Sequence, residues 1–408
     1  MDKIRMGVVG VGQRGRTMMN TILSCDEAEI VAVCDSLPER LEEGLELVKS
    51  YNRNIPIGYS DFDEMLKDEN VQAVYVSSSW DCHVEMAIKC LYAGKITAME
   101  VGGAYDIEEC WALVKAYEET KTPFMMLENC CFDRFELLST ALARKGLLGE
   151  IVHCHGAYSH DLRDEITGGN KNKHYRLNNY IKRNCENYPT HEIGPIAKLL
   201  GINRGNKFLS LVSVSSKACG LREYIKSGKC DDETLKDTVF QQGDIVNTII
   251  KCVGGETITL TLDTTLPKYY SREFTVRGTK GLTVQEGNMV LIEDKCNMHE
   301  EFAVEKTIEK YLNNAKEFDE YLPSCWLNIK EEEKKLGHGG MDYIQFKCFF
   351  DAIINEKEMP IDVYDAASWM CITALSEQSI NQGGAVQAIP DFTRGKWVNR
   401  PLKDVIEL

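Results

Sequence analysis

Two rhythms of apolar and polar residues divide the chain. Over residues 1–130 short apolar runs alternate with stretches of helical period, the pattern of a doubly wound parallel sheet. The runs Ile4 to Val9, Ile30 to Cys34, Ala73 to Ser77, Ile96 to Glu100 and Pro123 to Leu127 predict buried strands, which need no polar alternation when helices cover both faces. Thr17 to Ser24, His83 to Ala93 and Ile107 to Glu118 predict helices between them. Beyond Arg134 the rhythm changes. One helix, Phe135 to Lys145, precedes the alternating runs Glu150 to Tyr158, Phe208 to Ala218, Asp244 to Cys252, Glu256 to Thr264, Glu273 to Val276 and Met289 to Ile292, with Gly254-Gly255 as a hairpin turn. Residues Glu300 to Lys335, rich in Glu and Lys, predict a solvated helical excursion. Ile193 to Leu200, Asp342 to Asn355 and Asp362 to Asn381 are helical by period, the last stopped by Gly383-Gly384. The expected fold class is α/β: an N-terminal Rossmann-type parallel sheet over residues 1–130, and over 131–408 an α+β domain with a large, mostly antiparallel sheet for substrate binding and oligomerisation.

The first strand runs into Gly10, Gly12 and Gly15, spaced G-x-G-x-x-G. Gly10 permits a tight turn, Gly12 presents no side chain to a pyrophosphate, and Gly15 lets the following helix approach the strand, whose positive end then meets the phosphates. Asp35 closes the second strand about twenty residues beyond the last glycine, where a carboxylate accepts both hydroxyls of an adenosine ribose. That carboxylate repels a 2′-phosphate, and Ser36, Leu37 and Pro38 bring no cation, so NAD is expected rather than NADP. Trp80 and His83 follow the Ala73–Ser77 strand on a loop placed to touch the nicotinamide half, and a helix-capping loop with a core Trp would give the same pattern. Two more strands end in glutamates, Glu100 and Glu128, candidates for acid, base or hydroxyl acceptor.

At 408 residues the chain has room for two domains and a large core. A formal net charge of −16, without a polybasic run, argues against nucleic acid or anionic membrane as partner. No apolar stretch approaches a membrane span, and Met1-Asp2-Lys3 leads directly into the first strand, so a cytoplasmic location is expected. The sixteen cysteines include no C-x-x-C pair, and Cys34, Cys90, Cys154, Cys252 and Cys371 fall in apolar runs, which favours reduced thiols. No metal is expected.

Three polar clusters follow Arg134: Tyr158-Ser159-His160-Asp161-Leu162-Arg163, Asn187-Tyr188-Pro189-Thr190-His191-Glu192-Ile193-Gly194-Pro195 and Gly337-His338-Gly339-Gly340-Met341-Asp342. Pro189 fixes the entry to a helix that Thr190 can cap, leaving His191 at an N-terminus that disfavours imidazolium and suits a neutral proton acceptor. His160 and His338 read as structural or supporting residues.

With these motifs the chain resembles the Gfo/Idh/MocA oxidoreductases over nearly its whole length. More narrowly, Trp80-x-x-His83, Glu100-Val101, Met125 to Asn129, Tyr158-x-His160-Asp161-Leu162-Arg163, Tyr175-Arg176, Tyr188 to His191, Ile202 to Gly205 and Gly337 to Asp342 are similar to the NAD-dependent glycosidases of glycoside hydrolase family 109. Glu100-Val101-Gly102 replaces the Glu-Lys-Pro of many plain dehydrogenases and departs from the Glu-Val-Pro usual in the glycosidase branch. Glu192-Ile193, Phe132-Asp133 and Tyr269 are further departures, which bear on the sugar more than on the chemistry. The resemblance implies NAD held by Gln13, Arg14, Asp35, Trp80, His83, Glu100, Val101, Asn129 and His191, together with the glycine turn. It also implies a sugar held by Tyr158, Arg176, Tyr188, His191 and Tyr270, and release of terminal N-acetylgalactosamine with retention. The chemistry expected is transient oxidation at C3 with His191 taking the hydroxyl proton, then C2 deprotonation by a Tyr158 phenol acidified by a nearby cation. Elimination, water addition and re-reduction complete the cycle, with Glu128 polarising a hydroxyl or relaying the proton and Tyr270 orienting the ring. An ordinary NAD-dependent sugar or polyol dehydrogenase, or a non-catalytic NAD or sugar sensor, is the competing reading. The expected partner is a small carbohydrate, with a dimer or tetramer as the assembly.

Overall fold

The computed structural model describes residues 3–293, 295–296 and 304–408. The chain divides into two compact units, Met1–Phe132 with Asn328–Ala367, and Asp133–Leu327 with Ser368–Leu408.

The first unit is built on six strands, β1 (Ile4–Val9), β2 (Ala28–Cys34), β3 (Ile57–Tyr59), β4 (Ala73–Val76), β5 (Ile96–Met99) and β6 (Phe124–Met126). They pair in parallel in the order β3-β2-β1-β4-β5-β6. The order reverses between β1 and β4, and such a switch point opens a crevice at the carboxyl ends of the strands. Every residue of β4 is buried, as the unbroken apolar run requires of a strand covered on both faces. The helix Met341–Ile354 belongs to this unit and lays Phe346 edge-on to Tyr75 of β4, with ring centroids 5.8 Å apart. The helix after β1 spans Gln13–Leu23 and starts four residues earlier than the apolar period alone predicts, because Gln13 and Arg14 are good helix formers and Gly12 serves as its N-cap.

The second unit contains an eight-stranded sheet of β7 (Ile151–Ser159), β8 (Phe208–Ser215), β9 (Ile245–Cys252), β10 (Thr257–Asp263), β11 (Thr275–Gly278), β12 (Gly281–Val284), β13 (Met289–Ile292) and β14 (Gln387–Ala388). The order is β13-β12-β11-β7-β10-β9-β8-β14, antiparallel except for the parallel pair β7 and β10. Strict alternation along β9 and β10 sends Val246, Thr248, Ile250 and Cys252, and Ile258, Leu260 and Leu262, to one buried face. Gly255 makes the β9–β10 hairpin with a left-handed φ of 106°. The short strands β12 and β14 carry too little pattern to be read from sequence. The charged segment is not one helix but a helix Val304–Tyr311 and shorter turns at Asn314–Tyr321, Ser324–Leu327 and Glu333–Lys335. Pro323 cannot continue a helix, which accounts for one of these breaks. Residues 300–303 of that segment lie outside the described residues. All sixteen cysteines carry free thiols.

Candidate active site

Of the residues expected to hold NAD, all but His191 lie in the first unit, around the carboxyl ends of its strands. Gly10 leaves β1 with φ 87°, and a Cβ there would sit 2.6 Å from the Ser77 carbonyl oxygen on the neighbouring β4 loop. Gly15 lies inside the helix, where a Cβ would meet the Gly10 carbonyl oxygen at 2.0 Å; only glycine lets helix and turn approach this closely. A Cβ on Gly12 would meet nothing nearer than Arg40 Nη1 at 3.6 Å, so the backbone there faces open space at the positive end of an eleven-residue helix. Arg40, which the sequence reading passed over, therefore brings a cation to the glycine turn. Asp35 closes β2 and accepts from the backbone N–H groups of Val11 (2.7 Å) and Leu37 (2.9 Å), so it ties down the turn it faces.

Glu100, at the end of β5, accepts from the Tyr75 hydroxyl (2.8 Å) and from Arg14 Nε (3.0 Å), and Val101 beside it is buried. Trp80 and His83 are buried at the loop after β4, with His83 opening the helix His83–Tyr92. Gly102 has φ 158°, and a Cβ on it would lie 2.6 Å from Trp80 Cδ1 and 2.7 Å from His83 Cε1. Proline is restricted to φ near −65°, so the departure from Glu-Val-Pro accompanies a different backbone, one that admits both rings. Both ring nitrogens of His83 and the Ser78 hydroxyl are buried with no hydrogen-bond partner among the described residues. Burial holds the His83 imidazole down at about 4, so it stays neutral at physiological pH. Glu128 and Asn129 follow β6; Glu128 is fully buried and accepts from the Cys130 N–H (3.0 Å), and Asn129 donates to Asp342 (2.9 Å). Open glycine backbone at a helix N-terminus, a carboxylate at the second strand and orphaned buried donors and acceptors all fit a dinucleotide. Gln13 and Arg14 form the first turn of that helix.

The predicted sugar-side residues converge in the second unit. Tyr158, near the end of β7, packs its ring 4.4 Å from that of Tyr188, and the His191 ring lies 4.6 Å from Tyr188 and 5.6 Å from Tyr158. The buried Arg176 guanidinium stands 5.0 Å over the Tyr188 ring and 5.7 Å over that of Tyr158, donates to the Tyr158 hydroxyl at 3.3 Å, and is paired with Glu165 at 2.7 Å. Tyr270 reaches the cluster through His160, whose ring is 5.0 Å from Tyr158 and 5.2 Å from Tyr270. His160 is thus a member of the cluster and not a bystander; burial, then the nearby Arg176, holds its pKa at about 4. Arg272, another residue the sequence reading missed, donates to the Tyr270 hydroxyl at 3.0 Å while paired with Asp133 (3.1 Å) and Glu136 (2.8 Å).

The helix carrying His191 spans Pro189–Leu199, with Pro189 in its first turn as expected. Thr190 does not cap it: Tyr188 occupies the N-cap, and the Thr190 hydroxyl is buried with no hydrogen-bond partner among the described residues. What seats the helix is Gly156 of β7, where a Cβ would come within 2.5 Å of the Glu192 carbonyl oxygen. Pro195 has no N–H to return to the His191 carbonyl four residues earlier.

Two buried carboxyls, Glu186 and Glu192, bracket the Tyr188–His191 stretch. Glu186 accepts from the Tyr188 N–H (3.4 Å), and its own N–H donates to Ser376 (2.8 Å). Burial pushes Glu186 up to about 8, and burial together with the Glu186 charge pushes Glu192 well above the ordinary range. An unfolded chain releases both protons near the ordinary value of 4.5, so between there and about 8 the folded state binds more protons, and stability falls as pH rises. Thermal melts at stepped pH should show the wild type losing Tm toward pH 8 with a steeper slope than E186Q/E192Q. Parallel slopes would contradict the assignment. His83 and His160 act in the opposite sense, and only below about pH 6.5, where the unfolded imidazoles take up protons.

A glycine turn at the switch point of a parallel sheet, joined to a unit with a large mixed sheet, defines an oxidoreductase-type dinucleotide-binding architecture. Residues 4–127 match the oxidoreductase family with NAD-binding Rossmann fold, and residues 132–399 match the glycosyl hydrolase 109 C-terminal domain. The chain is 38% identical over 422 residues to an alpha-N-acetylgalactosaminidase of Tannerella forsythia, with 97% of this chain and 88% of that protein covered. It is 36% identical over 422 residues to a glycosyl hydrolase family 109 protein of Parabacteroides distasonis, with 98% and 88% covered. The chain belongs to glycoside hydrolase family 109. Among solved structures, a levoglucosan dehydrogenase in complex with NADH and levoglucosan shares the fold with a TM-score of 0.69 at 19% identity, over 95% of this chain and 100% of that one. The protein is therefore a hydrolase of the glycoside class on a Gfo/Idh/MocA fold with an NAD-binding domain. No described helix is long and apolar enough to cross a membrane.

Proposed function

We propose that the protein releases a terminal N-acetylgalactosaminide-like sugar from its glycosides in an NAD-dependent reaction that begins and ends with the same cofactor state. The observation that carries this reading is the convergence of Tyr158 and Tyr188 beneath the Arg176 guanidinium, with the His191 ring against both tyrosines, in a chain of family 109. Cofactor-assisted cleavage is the known exception to the two-carboxylate scheme of most glycosidases.

NAD would be held by the glycine turn, Gln13, Arg14, Asp35, Trp80, His83, Glu100, Val101 and Asn129, and when bound would supply reversible hydride acceptance at C3 of the sugar. His191 takes the proton of the C3 hydroxyl. The C3 carbonyl acidifies the hydrogen on C2, and Tyr158 removes it, with the guanidinium of Arg176 facing the charge that develops on the phenol oxygen. The C1 substituent leaves by elimination, water adds to the unsaturated ketone, and the hydroxyl at C3 is restored. Glu128 polarises a hydroxyl or relays the proton, and Tyr270, with its own hydroxyl held by Arg272, orients the ring. Asp35 selects NAD over NADP by repelling a 2′-phosphate.

Chromogenic glycosides of several sugars, assayed on protein stripped of nucleotide and then with NAD restored, test the proposal. Cleavage that needs NAD without accumulating NADH is the expected result. Lasting stoichiometric NADH formation with free sugar would instead make the protein a sugar dehydrogenase, and binding without turnover a sensor.

A further inference from the structure

The Gly337-His338-Gly339-Gly340-Met341-Asp342 stretch has no part in the chemistry above, yet it is built around one carboxylate. Asp342, fully buried in the first turn of the helix Met341–Ile354, accepts four hydrogen bonds. Arg14 reaches it with Nη1 at 3.0 Å and Nη2 at 2.9 Å, Asn129 with Nδ2 at 2.9 Å, and His338 with Nδ1 at 2.7 Å. Each oxygen thus takes two donors, which fills the acceptor capacity of a carboxylate.

Backbone strain aims it there. Residues 337 to 340 all have positive φ, 77°, 39°, 70° and 104°, and His338 in that region carries a cost of order 1 to 3 kcal/mol that the surrounding structure must offset. A Cβ on Gly337 would lie 2.3 Å from Asp342 Oδ2, so glycine is what allows the loop to close over the carboxylate. The donors come from distant parts of the chain: Arg14 from the helix after the glycine turn, Asn129 from the segment after β6. Arg14 also donates to Glu100 at 3.0 Å, so its guanidinium is fixed between two carboxylates.

We infer that Asp342 is a positioning residue of the dinucleotide site, fixing Arg14 and Asn129 through a fan of hydrogen bonds that the His338 loop holds in place. The inference rests on the NAD reading above, in which Arg14 and Asn129 face the nucleotide. Both oxygens of Asp342 are taken by donors of the chain itself, so its effect on the nucleotide runs through those donors. Its replacement should therefore weaken NAD binding and leave the glycoside KM at saturating NAD unchanged.

The test is the NAD dissociation constant of nucleotide-stripped protein, measured by calorimetry for wild type, D342N, R14A and D342N/R14A, with a thermal melt of each. D342N keeps the shape of the side chain but not its charge, and a loss of charge-assisted bonds predicts a rise of about ten- to a hundredfold in Kd. Because Asp342 acts in part through Arg14, the double variant should be weakened by less than the product of the two single effects. If D342N fails to fold, H338A carries the test, with an expected rise of about threefold or more, since it leaves the carboxylate one donor short. A folded D342N, or in its place H338A, that binds NAD as tightly as wild type overturns the inference while leaving the NAD reading intact. A wild type that takes up no NAD overturns both.

Discussion

If His191 takes the C3 hydroxyl proton as proposed, replacing it by alanine should lower turnover by about two to four orders of magnitude, the contribution of a well-placed proton acceptor, without a matching loss of fold. The ring is held from several sides. The helix Pro189–Leu199 sets its direction, Tyr188 meets it nearly edge-on at 85°, and Gly156 brings the helix against β7. Alanine is a good helix former and leaves Pro189, Gly156 and the Glu186 bond to Tyr188 untouched, so the variant should keep its circular dichroism and melt near wild type. Turnover measured on a chromogenic substrate, beside those two controls, checks this. Near-normal activity in a folded variant would remove His191 from the proton-accepting role.

Tyr158→Phe carries the second large effect. The phenyl ring still fills its place 4.4 Å from Tyr188 and beneath Arg176, so little packing is lost, whereas the oxygen that accepts from Arg176 at 3.3 Å is gone. If that oxygen removes the C2 proton, kcat falls by about a hundredfold or more while KM changes little, because the lost interaction is made only in the transition state. A variant with raised KM and unchanged kcat would make Tyr158 a binding surface and move the base elsewhere.

What the sequence conveyed follows from how local each constraint is. Gly10, Gly15 and Asp35 were legible because turn, close helix approach and strand end are demands that a few consecutive residues express alone. Tyr158, Arg176, Tyr188 and His191 were legible as motifs, which β7 and two helices then bring together. Gly156 was not legible: its role depends on β7 lying under a helix about thirty-five residues later, a separation that leaves no periodic signature. The same holds for Arg272 beneath Tyr270, for the Glu186 and Glu192 pair and for the link from Arg14 to Asp342 across more than three hundred residues. Thr190 shows the limit in the other direction, since a capping type beside a helix start was displaced when Tyr188 took the N-cap. In the charged segment Glu and Lys favour helix, as read, but Pro323 interrupts it, leaving one eight-residue helix and shorter turns.

Nuclear magnetic resonance of the sugar released in deuterium oxide tests the central claim most directly. Cleavage through a C3 ketone exchanges the hydrogen on C2 with solvent, so the product should carry deuterium at C2. A product formed at full rate with protium at C2 would mean that the glycosidic bond breaks without elimination, and the cofactor-assisted route would be wrong.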